Sequence, residues 1–140
     1  TKNPTILTPD MTTTEVFKII DTTHHTKFPV LEDNKVVGIL IAEDLFQKPK
    51  KEGIENRVRD LMNPNFLHIS PTCTMDSVLH AMMDRDEGHA VIADPQNINV
   101  MLGYVTKADV LKAYEIAIIR LQKAGIDIED IPPIELLDVT

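Results

Sequence analysis

Thr106 and Asp109 are the residues of this 140-residue chain whose types and spacing best suit ligand chemistry. They stand three positions apart where an apolar run ends and a helix is expected to begin, so both would face the same side of its first turn. Backbone N–H groups and the helix dipole favour an anion at such a junction. The Thr106 hydroxyl could bond a phosphate oxygen, Lys107 could offset phosphate charge, and the Asp109 carboxylate could accept hydrogen bonds from a ribose. The same pair is also an ordinary helix cap, so capping and binding both remain open.

A weaker copy of this pattern precedes it in the chain. Residues 38–44 resemble residues 103–109: both stretches begin with Gly and end with Asp, which is Asp44 in the first. Ile41 occupies the Thr position, and its side chain offers no hydrogen bond to a phosphate. Glu43 adds a negative charge that would repel one. We therefore predict one good site, and at Asp44 a weak second site for at most a nucleoside-like ligand.

The rest of the chain gives little indication of catalysis or metal binding. The single cysteine, Cys73, stands before an expected helix without a neighbouring histidine, so we do not expect a nucleophile. No glycine-rich phosphate loop is present in the sequence. We predict no enzymatic activity, no metal site and no required cofactor. Five histidines lack the spacing of metal ligands: His24, His25, His68, His80 and His89.

Charge and composition exclude several classes of partner. The net charge of −8 argues against nucleic acids and anionic membranes, which need a basic surface. With no Trp, two Tyr and four Phe, a stacking platform for single strands is not expected. No apolar run reaches the roughly 18 residues that span a bilayer, and a single Cys fits a reducing compartment. We expect this stretch to be soluble by itself and not to bind nucleic acid.

Two copies of one unit account for most of the chain. Residues 8–46 and 70–111 each run through a proline, a capped helix, an apolar strand, a polar turn, an apolar strand with Gly, and a short helix. One βαββα unit cannot bury both faces of its sheet. We predict an α+β (α/β) fold of two pseudo-twofold-related repeats packed through their sheets, with a ligand cleft between them. The matching positions are Pro9 and Pro71, Thr12 and Thr74, Val16 and Val78, Gly38 and Gly103, and Asp44 and Asp109.

Local signals give the bounds of the elements. Thr12 and Glu15 predict a capping box before the first helix, and residues 32–35 predict the turn of a hairpin. A short helix is expected over about residues 54–62. Gly125 predicts the end of the last helix, which would begin near Lys107. These signals assign residues 1–53 to the first repeat with a truncated leader and a linker, 54–124 to the second repeat with its introducing helix, and 125–140 to an acidic tail without assigned structure.

Two phrases of the sequence resemble the CBS (cystathionine-beta-synthase-type) domain family. Residues 58–64, VRDLMNP, look like the phrase that introduces a CBS repeat. Residues 103–109, GYVTKAD, are similar to the nucleotide signature of the family, which is Gly, two apolar residues, Thr or Ser, two variable residues and Asp. The resemblance covers about residues 3–120. It implies a tandem CBS pair, or Bateman module, that binds ATP, ADP or AMP between its repeats through Thr106 and Asp109.

The resemblance also implies contacts from the first repeat. In related pairs the signature of the second repeat works with the leader and first strand of the first repeat, whose backbone would read the edge of the base. His25 stands where Tyr is common in one branch of the family, and its ring could stack on an adenine. The implied additional site residues are Thr5, Ile6, His25, Thr26, Lys27 and Phe28.

A finer resemblance concerns the parent protein. Residues 5–8, 22–30 and 106–114 look like the carboxy-terminal cytosolic CBS pair of ClC-type chloride channels and transporters. It implies an attached transmembrane transport domain, a location at the cytoplasmic face of the membrane, and a homodimer formed through apolar helix faces. The first repeat lacks its own introducing phrase, so we expect the chain to be a fragment. The alternative function is a ligand-free dimerisation module. The alternative parents are a magnesium transporter and a nucleotide-metabolising enzyme.

Overall fold

The computed structural model describes residues 4–46, 55–127 and 129. Within them, the order helix, strand, strand, helix occurs twice. The chain forms two compact units, the amino-terminal unit (Asn3–Phe66) and the carboxy-terminal unit (Leu67–Thr140). Each unit combines a small sheet with helices, which confirms the predicted α+β class. The predicted linker and most of the predicted acidic tail lie outside the described residues.

A two-stranded antiparallel hairpin forms the sheet of the amino-terminal unit. Asp33 and Asn34 both have positive φ, 52° and 63°, which is the turn geometry that matches the twist of a hairpin, so the predicted turn is confirmed. The segment before the first helix, here called the leader, lies along the hairpin at Leu7. The Leu7 N–H donates to the Pro29 carbonyl (3.0 Å), and the Leu31 N–H donates to the Leu7 carbonyl (2.9 Å). The elements of this unit are α1 (Thr13–Thr23), β1 (Lys27–Glu32), β2 (Lys35–Ile41), a 3-10 helix (Ala42–Phe46) and α2 (Val58–Leu61).

The segment around α2 packs with the amino-terminal unit, although the order of the repeats places it at the start of the second. Val58 and Leu61 bury their side chains in the core of this unit. The Asn63 carbonyl accepts from the Ile39 N–H (3.0 Å), and the Asn63 N–H donates to the Ile39 carbonyl (2.9 Å). Gly38 permits this approach, because a Cβ there would lie 3.2 Å from the Asn63 carbonyl oxygen. The helix that introduces the second repeat in sequence therefore completes the core of the first.

The start of α1 depends on the same returning segment. The Thr12 Oγ1 accepts from the Glu15 N–H (3.3 Å), so Thr12 is the predicted N-cap. The Glu55 Oε1 accepts from the Thr14 N–H (2.7 Å) and from the Thr13 hydroxyl (2.7 Å), and the Thr14 hydroxyl donates to it as well. Because the first N–H groups of a helix lack partners within it, Glu55 satisfies groups that α1 alone leaves open.

In the carboxy-terminal unit, a three-stranded sheet has the order β3-β4-β5, with β3 parallel and β5 antiparallel to β4. The last helix ends just before Gly125, whose positive φ (85°) makes it the predicted C-terminal stop. The Gly125 N–H donates to the Gln122 carbonyl and the Ile126 N–H to the Leu121 carbonyl, both at 3.0 Å, which is the Schellman pattern of a helix end. The elements are β3 (His68–Ile69), α3 (Met75–Arg85), β4 (His89–Asp94), β5 (Asn97–Thr106) and α4 (Lys107–Lys123).

The Glu55→Ala variant tests the contribution of the returning segment to the amino-terminal unit. We expect it to lower the free energy of unfolding by about 1–2 kcal/mol, since the Thr14 N–H and the part-buried Thr13 hydroxyl lose their acceptor. The measurement is urea denaturation followed by circular dichroism. Glu43→Ala, which removes an exposed acid from the 3-10 helix, is the matched control and should change stability by less than about 0.5 kcal/mol. Equal midpoints for Glu55→Ala and the native chain would contradict this role.

Candidate functional site

Thr106 and Asp109 form a reciprocal capping box at the junction of β5 and α4. The Asp109 N–H donates to the Thr106 Oγ1 (3.2 Å), and the Thr106 N–H donates to the Asp109 Oδ2 (3.3 Å). The Lys107 N–H continues the strand ladder by donating to the Gly88 carbonyl (2.8 Å). Three backbone N–H groups of the junction are therefore occupied by the protein itself.

Hydrogen-bonding capacity remains at this junction despite the box. A threonine hydroxyl that accepts one bond still carries a proton to donate, and an ionised carboxylate has about four acceptor positions. Thr106 is half-buried, whereas Lys107 and Asp109 are exposed. Within four residues the junction thus presents a hydroxyl donor, a cation and a carboxylate. These groups can bind a phosphate or a ribose.

Sequence reasoning missed two buried polar side chains beside the box, His89 and Tyr104. They are only 4% and 3% exposed, and their rings stack with centroids 6.4 Å apart and an interplanar angle of 22°. Burial raises the pKa of Tyr104 well above its usual value, and the charge of Asp109 raises it further. The signal that could have found His89 is the hairpin register, which pairs it with Thr106.

The junction in the first repeat has half of this geometry. The Asp44 Oδ2 accepts from the Ile41 N–H (3.3 Å), the counterpart of the bond between Asp109 and Thr106. Ile41 has no hydroxyl to return a bond, and the following helix is a 3-10 helix of five residues. In both repeats the Asp carboxylate therefore binds the strand-to-helix backbone, and only in the second does a Thr reciprocate. The weak second site at Asp44 stays a prediction.

The six candidate residues from the first repeat lie in the amino-terminal unit. The Thr5 Oγ1 and the His25 Nδ1 are hydrogen-bonded at 3.1 Å, which ties the leader to the turn after α1. Ile6 and Thr26 are exposed, and the Thr26 carbonyl accepts from the Ala42 N–H (2.7 Å). The structure therefore brings Thr5 and His25 together in one unit, and the capping box lies in the other.

Lys27 and Phe28 differ in what they can offer a ligand. Lys27 is half-buried at the start of β1, where it pairs with Ile41. Phe28 is completely buried in the core of the amino-terminal unit. Its side chain therefore serves packing, and any contact with a ligand would come from its backbone.

A metal cluster and a membrane-spanning helix are both absent from the described residues. Within residues 4–46 and 55–127, no group of three or more His, Cys, Asp or Glu side chains could hold a metal ion. Over the same described stretches, no helix is both long enough and apolar enough to cross a membrane.

Comparison with known proteins places the repeats in a family. A model of the CBS domain matches residues 1–51 and 58–116. An uncharacterized protein of Methanocaldococcus jannaschii is 25% identical over 113 residues, which cover 81% of this chain and 41% of the relative. A second protein of that organism is 24% identical over 106 residues, which cover 76% of this chain and 34% of the relative. The chain thus spans about two fifths or less of these curated relatives.

Solved structures share the fold at lower identity. AcuB from Vibrio cholerae superposes with a TM-score of 0.73 at 18% identity, over 89% of this chain and 91% of that one. CBSX2 in complex with AMP has a TM-score of 0.71 at 19% identity, over 81% and 89%. The cytosolic domain of the Mg²⁺ channel MgtE in complex with ATP has a TM-score of 0.67 at 22% identity, over 80% and 45%. The likeness shows a common fold.

Replacing the threonines that cap α3 and α4 tests how much these caps contribute to the stability of the fold. Thr74 caps α3 as Thr106 caps α4, with its Oγ1 accepting from the Ser77 N–H (3.2 Å). We expect Thr74→Val and Thr106→Val each to cost about 1 kcal/mol of stability, because each leaves a first-turn N–H without its acceptor. Thermal denaturation measures the loss, and Thr8→Val, at an exposed leader position, is the control. An unchanged melting temperature for Thr106→Val would show that the box contributes nothing to folding.

Proposed function

This chain belongs to the CBS domain family, and we propose that its pair of CBS domains is a regulatory module that binds an adenosine nucleotide: ATP, ADP or AMP. The observation that carries the proposal is the capping box of Thr106 and Asp109, which stands on the family's nucleotide signature with an exposed carboxylate. CBS structures that share the fold were solved in complex with AMP and with ATP.

Each group of the box has a distinct proposed role. The Thr106 hydroxyl donates to a phosphate oxygen while it accepts from the Asp109 N–H. The exposed Asp109 carboxylate accepts from the ribose hydroxyls, and the exposed Lys107 ammonium offsets phosphate charge. No required cofactor and no catalytic step enter this proposal.

The amino-terminal unit supplies the proposed contacts to the base. The bonded pair of Thr5 and His25 orients the imidazole ring, which stacks on the adenine. Backbone groups of the leader and of the strand that follows the pair read the base edge. The residues of the amino-terminal unit that we propose for the nucleotide site are Thr5, Ile6, His25, Thr26, Lys27 and Phe28.

We propose that the parent protein is a ClC-type chloride channel or transporter with a transmembrane domain, and that this module lies at its cytoplasmic face. The resemblance of residues 5–8, 22–30 and 106–114 supports this parent. A magnesium transporter is the alternative, supported by the shared fold of the MgtE cytosolic domain. Sequencing the reading frame around the chain separates both from a nucleotide-metabolising enzyme, because a transporter needs several apolar spans and an enzyme needs a catalytic domain.

Regulation requires the nucleotide to favour one arrangement of the protein over another. A ligand shifts a conformational equilibrium only by its difference in affinity for the two states. We propose that nucleotide binding changes how the CBS pair, or two pairs in a dimer, pack together and so biases the attached domain.

A ligand-free dimerisation module is the second candidate function. The specific observation in its favour is that Thr106 and Asp109 already satisfy each other in the absence of a ligand. Under this alternative the box only starts α4, and no adenosine compound binds.

Calorimetric titration distinguishes the two functions. We expect the native chain to bind at least one of ATP, ADP, AMP and S-adenosylmethionine, tested with and without magnesium, at one strong site per chain. Asp109→Ala should weaken binding at least about tenfold, because the ribose loses charge-assisted hydrogen bonds. Absence of heat from every compound would leave the dimerisation module as the function.

Two control variants separate binding from folding. Thr74→Ala removes a helix cap from the same unit without touching the box, and Glu115→Ala removes an exposed acid from the same helix as Asp109. Both should bind nucleotide as the native chain does. Native affinity of Asp109→Ala would refute the proposed site, whatever the controls show.

We also propose that the module forms a homodimer through an exposed aromatic pair. Phe17 on α1 is 40% exposed and Phe46 at the end of the 3-10 helix is 76% exposed. Their rings lie 5.7 Å apart, so they form one patch rather than two isolated side chains. Contiguous exposed apolar surface of this kind marks interaction sites.

Replacing Phe46 tests this dimer surface. We expect Phe46→Ser to weaken dimerisation at least about tenfold, because an aromatic side chain central to an interface contributes about 1.5–3 kcal/mol by burial. Sedimentation velocity over a range of concentrations gives the dissociation constant. Ile98→Ser removes an exposed apolar side chain of the β5 hairpin and is the matched control. An equal loss for both variants, or none for Phe46→Ser, would exclude the aromatic patch.

A further inference from the structure

The last helix, α4, packs on its unit through its first half. Within the described residues, the α4 side chains that belong to the core of the carboxy-terminal unit are Val110, Ala113 and Tyr114. The helix continues to Lys123, which lies roughly 13 Å beyond Tyr114 at the rise of an α-helix. Packing on this core therefore does not account for the composition of the second half.

The second half of α4 is apolar on nearly all sides. Residues 116–121 read IAIIRL, and at the period of an α-helix their side chains are distributed around the whole axis. Ile116 and Ile119 are 41% and 42% exposed. Residues three apart are neighbours on the surface of a helix, so these two side chains form one isoleucine patch. Because a helix that is apolar all round is normally buried, the patch calls for a segment that covers it.

The chain turns back where α4 ends. Gly125 has a φ of 85°, and the Ile126 N–H donates to the Leu121 carbonyl (3.0 Å). This kind of helix end commonly brings the residue after the glycine into apolar contact with the last turn of the helix. Ile126 is half-buried, whereas Gly125 and Asp127 are exposed. The chain that follows α4 therefore begins beside the helix.

The following residues match the isoleucine patch in apolar content and in charge. The tail segment, residues 130–139, reads DIPPIELLDV and lies outside the described part of the chain. Its sequence combines isoleucine, leucine and valine with three acids and no basic residue. On α4 the exposed cations Arg120 and Lys123 stand beside the patch. Apolar groups and opposite charges are thus present on both the helix and the tail segment.

The tether between the two is long enough for them to meet. The distance along α4 from Gly125 back to Ile116 is roughly 14 Å at the rise of an α-helix. An extended chain covers about 3.3 Å per residue, so residues 126–130 by themselves can span this distance. A segment held by so short a tether meets the patch at an effective concentration on the order of millimolar, whereas a second copy has to associate from solution.

We propose that the tail segment folds back onto α4 and covers the isoleucine patch. Its apolar side chains pack on Ile116 and Ile119, and its acids lie near Arg120 and Lys123. This contact uses none of the residues proposed for the nucleotide site or for the aromatic dimer patch. The acidic tail is thereby an intramolecular partner of the last helix.

A spin label on the tail segment measures this contact in the full chain. The label is attached at Asp138→Cys in a Cys73→Ser background, and Cys73→Ala is the second background if the first does not fold. We expect the label to broaden the methyl signals of Ile116 and Ile119 in nuclear magnetic resonance spectra of isoleucine-labelled protein. A mixture of spin-labelled chains with isotope-labelled chains that lack the spin label shows whether the tail of another copy causes the broadening.

Two pairs of variants test the apolar and the charged parts of the contact. Ile119→Ser should weaken docking of the tail at least about fivefold, as reported by the Ile116 methyl, because an apolar side chain loses its burial. Met83→Ser, which removes an exposed apolar side chain from α3, is its matched control. Arg120→Glu should weaken docking about twofold to fivefold, with a smaller effect at high salt. Lys35→Glu reverses an exposed cation of the amino-terminal unit and is the control for charge.

Broadening within one chain that both α4 variants reduce and both controls leave unchanged supports the tail segment as the occupant. Absence of broadening at both isoleucines would overturn the proposal, and so would broadening that occurs only in the mixed sample, which assigns the contact to another copy. If Ile119→Ser lowers dimer affinity in sedimentation velocity while no broadening occurs, a second copy of α4 covers the patch instead. Equal effects of Ile119→Ser and Met83→Ser would also contradict the contact.

Discussion

The need to satisfy backbone N–H groups where helices begin is the constraint on which both units depend. Thr12 and Glu55 supply acceptors at α1, and Thr74 supplies one at α3. At α4 the Thr106 hydroxyl and the Asp109 carboxylate satisfy one another's backbone N–H groups. Loss of one such cap costs about 0.5–2 kcal/mol, a large share of the stability of a small domain. Polar residues at these junctions are therefore required by folding before any ligand is considered.

This requirement explains why capping and binding coincide in one pair of residues. A helix start that has been supplied with a hydroxyl and a carboxylate already has the groups that a phosphate and a ribose need. The first repeat shows the difference between them: Asp44 keeps the bond to the Ile41 backbone, and without a hydroxyl at position 41 the junction lacks the phosphate donor. The asymmetry of the proposed site thus follows from one side chain, while the structural role of the aspartate is the same in both repeats.

Much of the fold could be predicted because its signals are local. The caps at Thr12 and Thr74, the hairpin turn at Asp33 and Asn34, and the helix end at Gly125 each depend on a few neighbouring residues, and the structure confirms all of them. Thr106 and Asp109 were found for the same reason. His89 could not be found in this way, because its approach to Thr106 depends on the register of a hairpin that includes bulges after Ile92 and Ala93.

The sequence by itself determined the repeated order of elements, the family and the residues of the box, because periodicity, caps and turn residues act over a few positions. Only the tertiary structure decided which partners these residues acquire. It joined the α2 segment to the core of the first repeat through Val58, Leu61 and the pairing of Asn63 with Ile39. It also buried Phe28 in that core and stacked Tyr104 on His89. These outcomes depend on segments far apart in the chain, whose approach is set by packing and register rather than by local propensity.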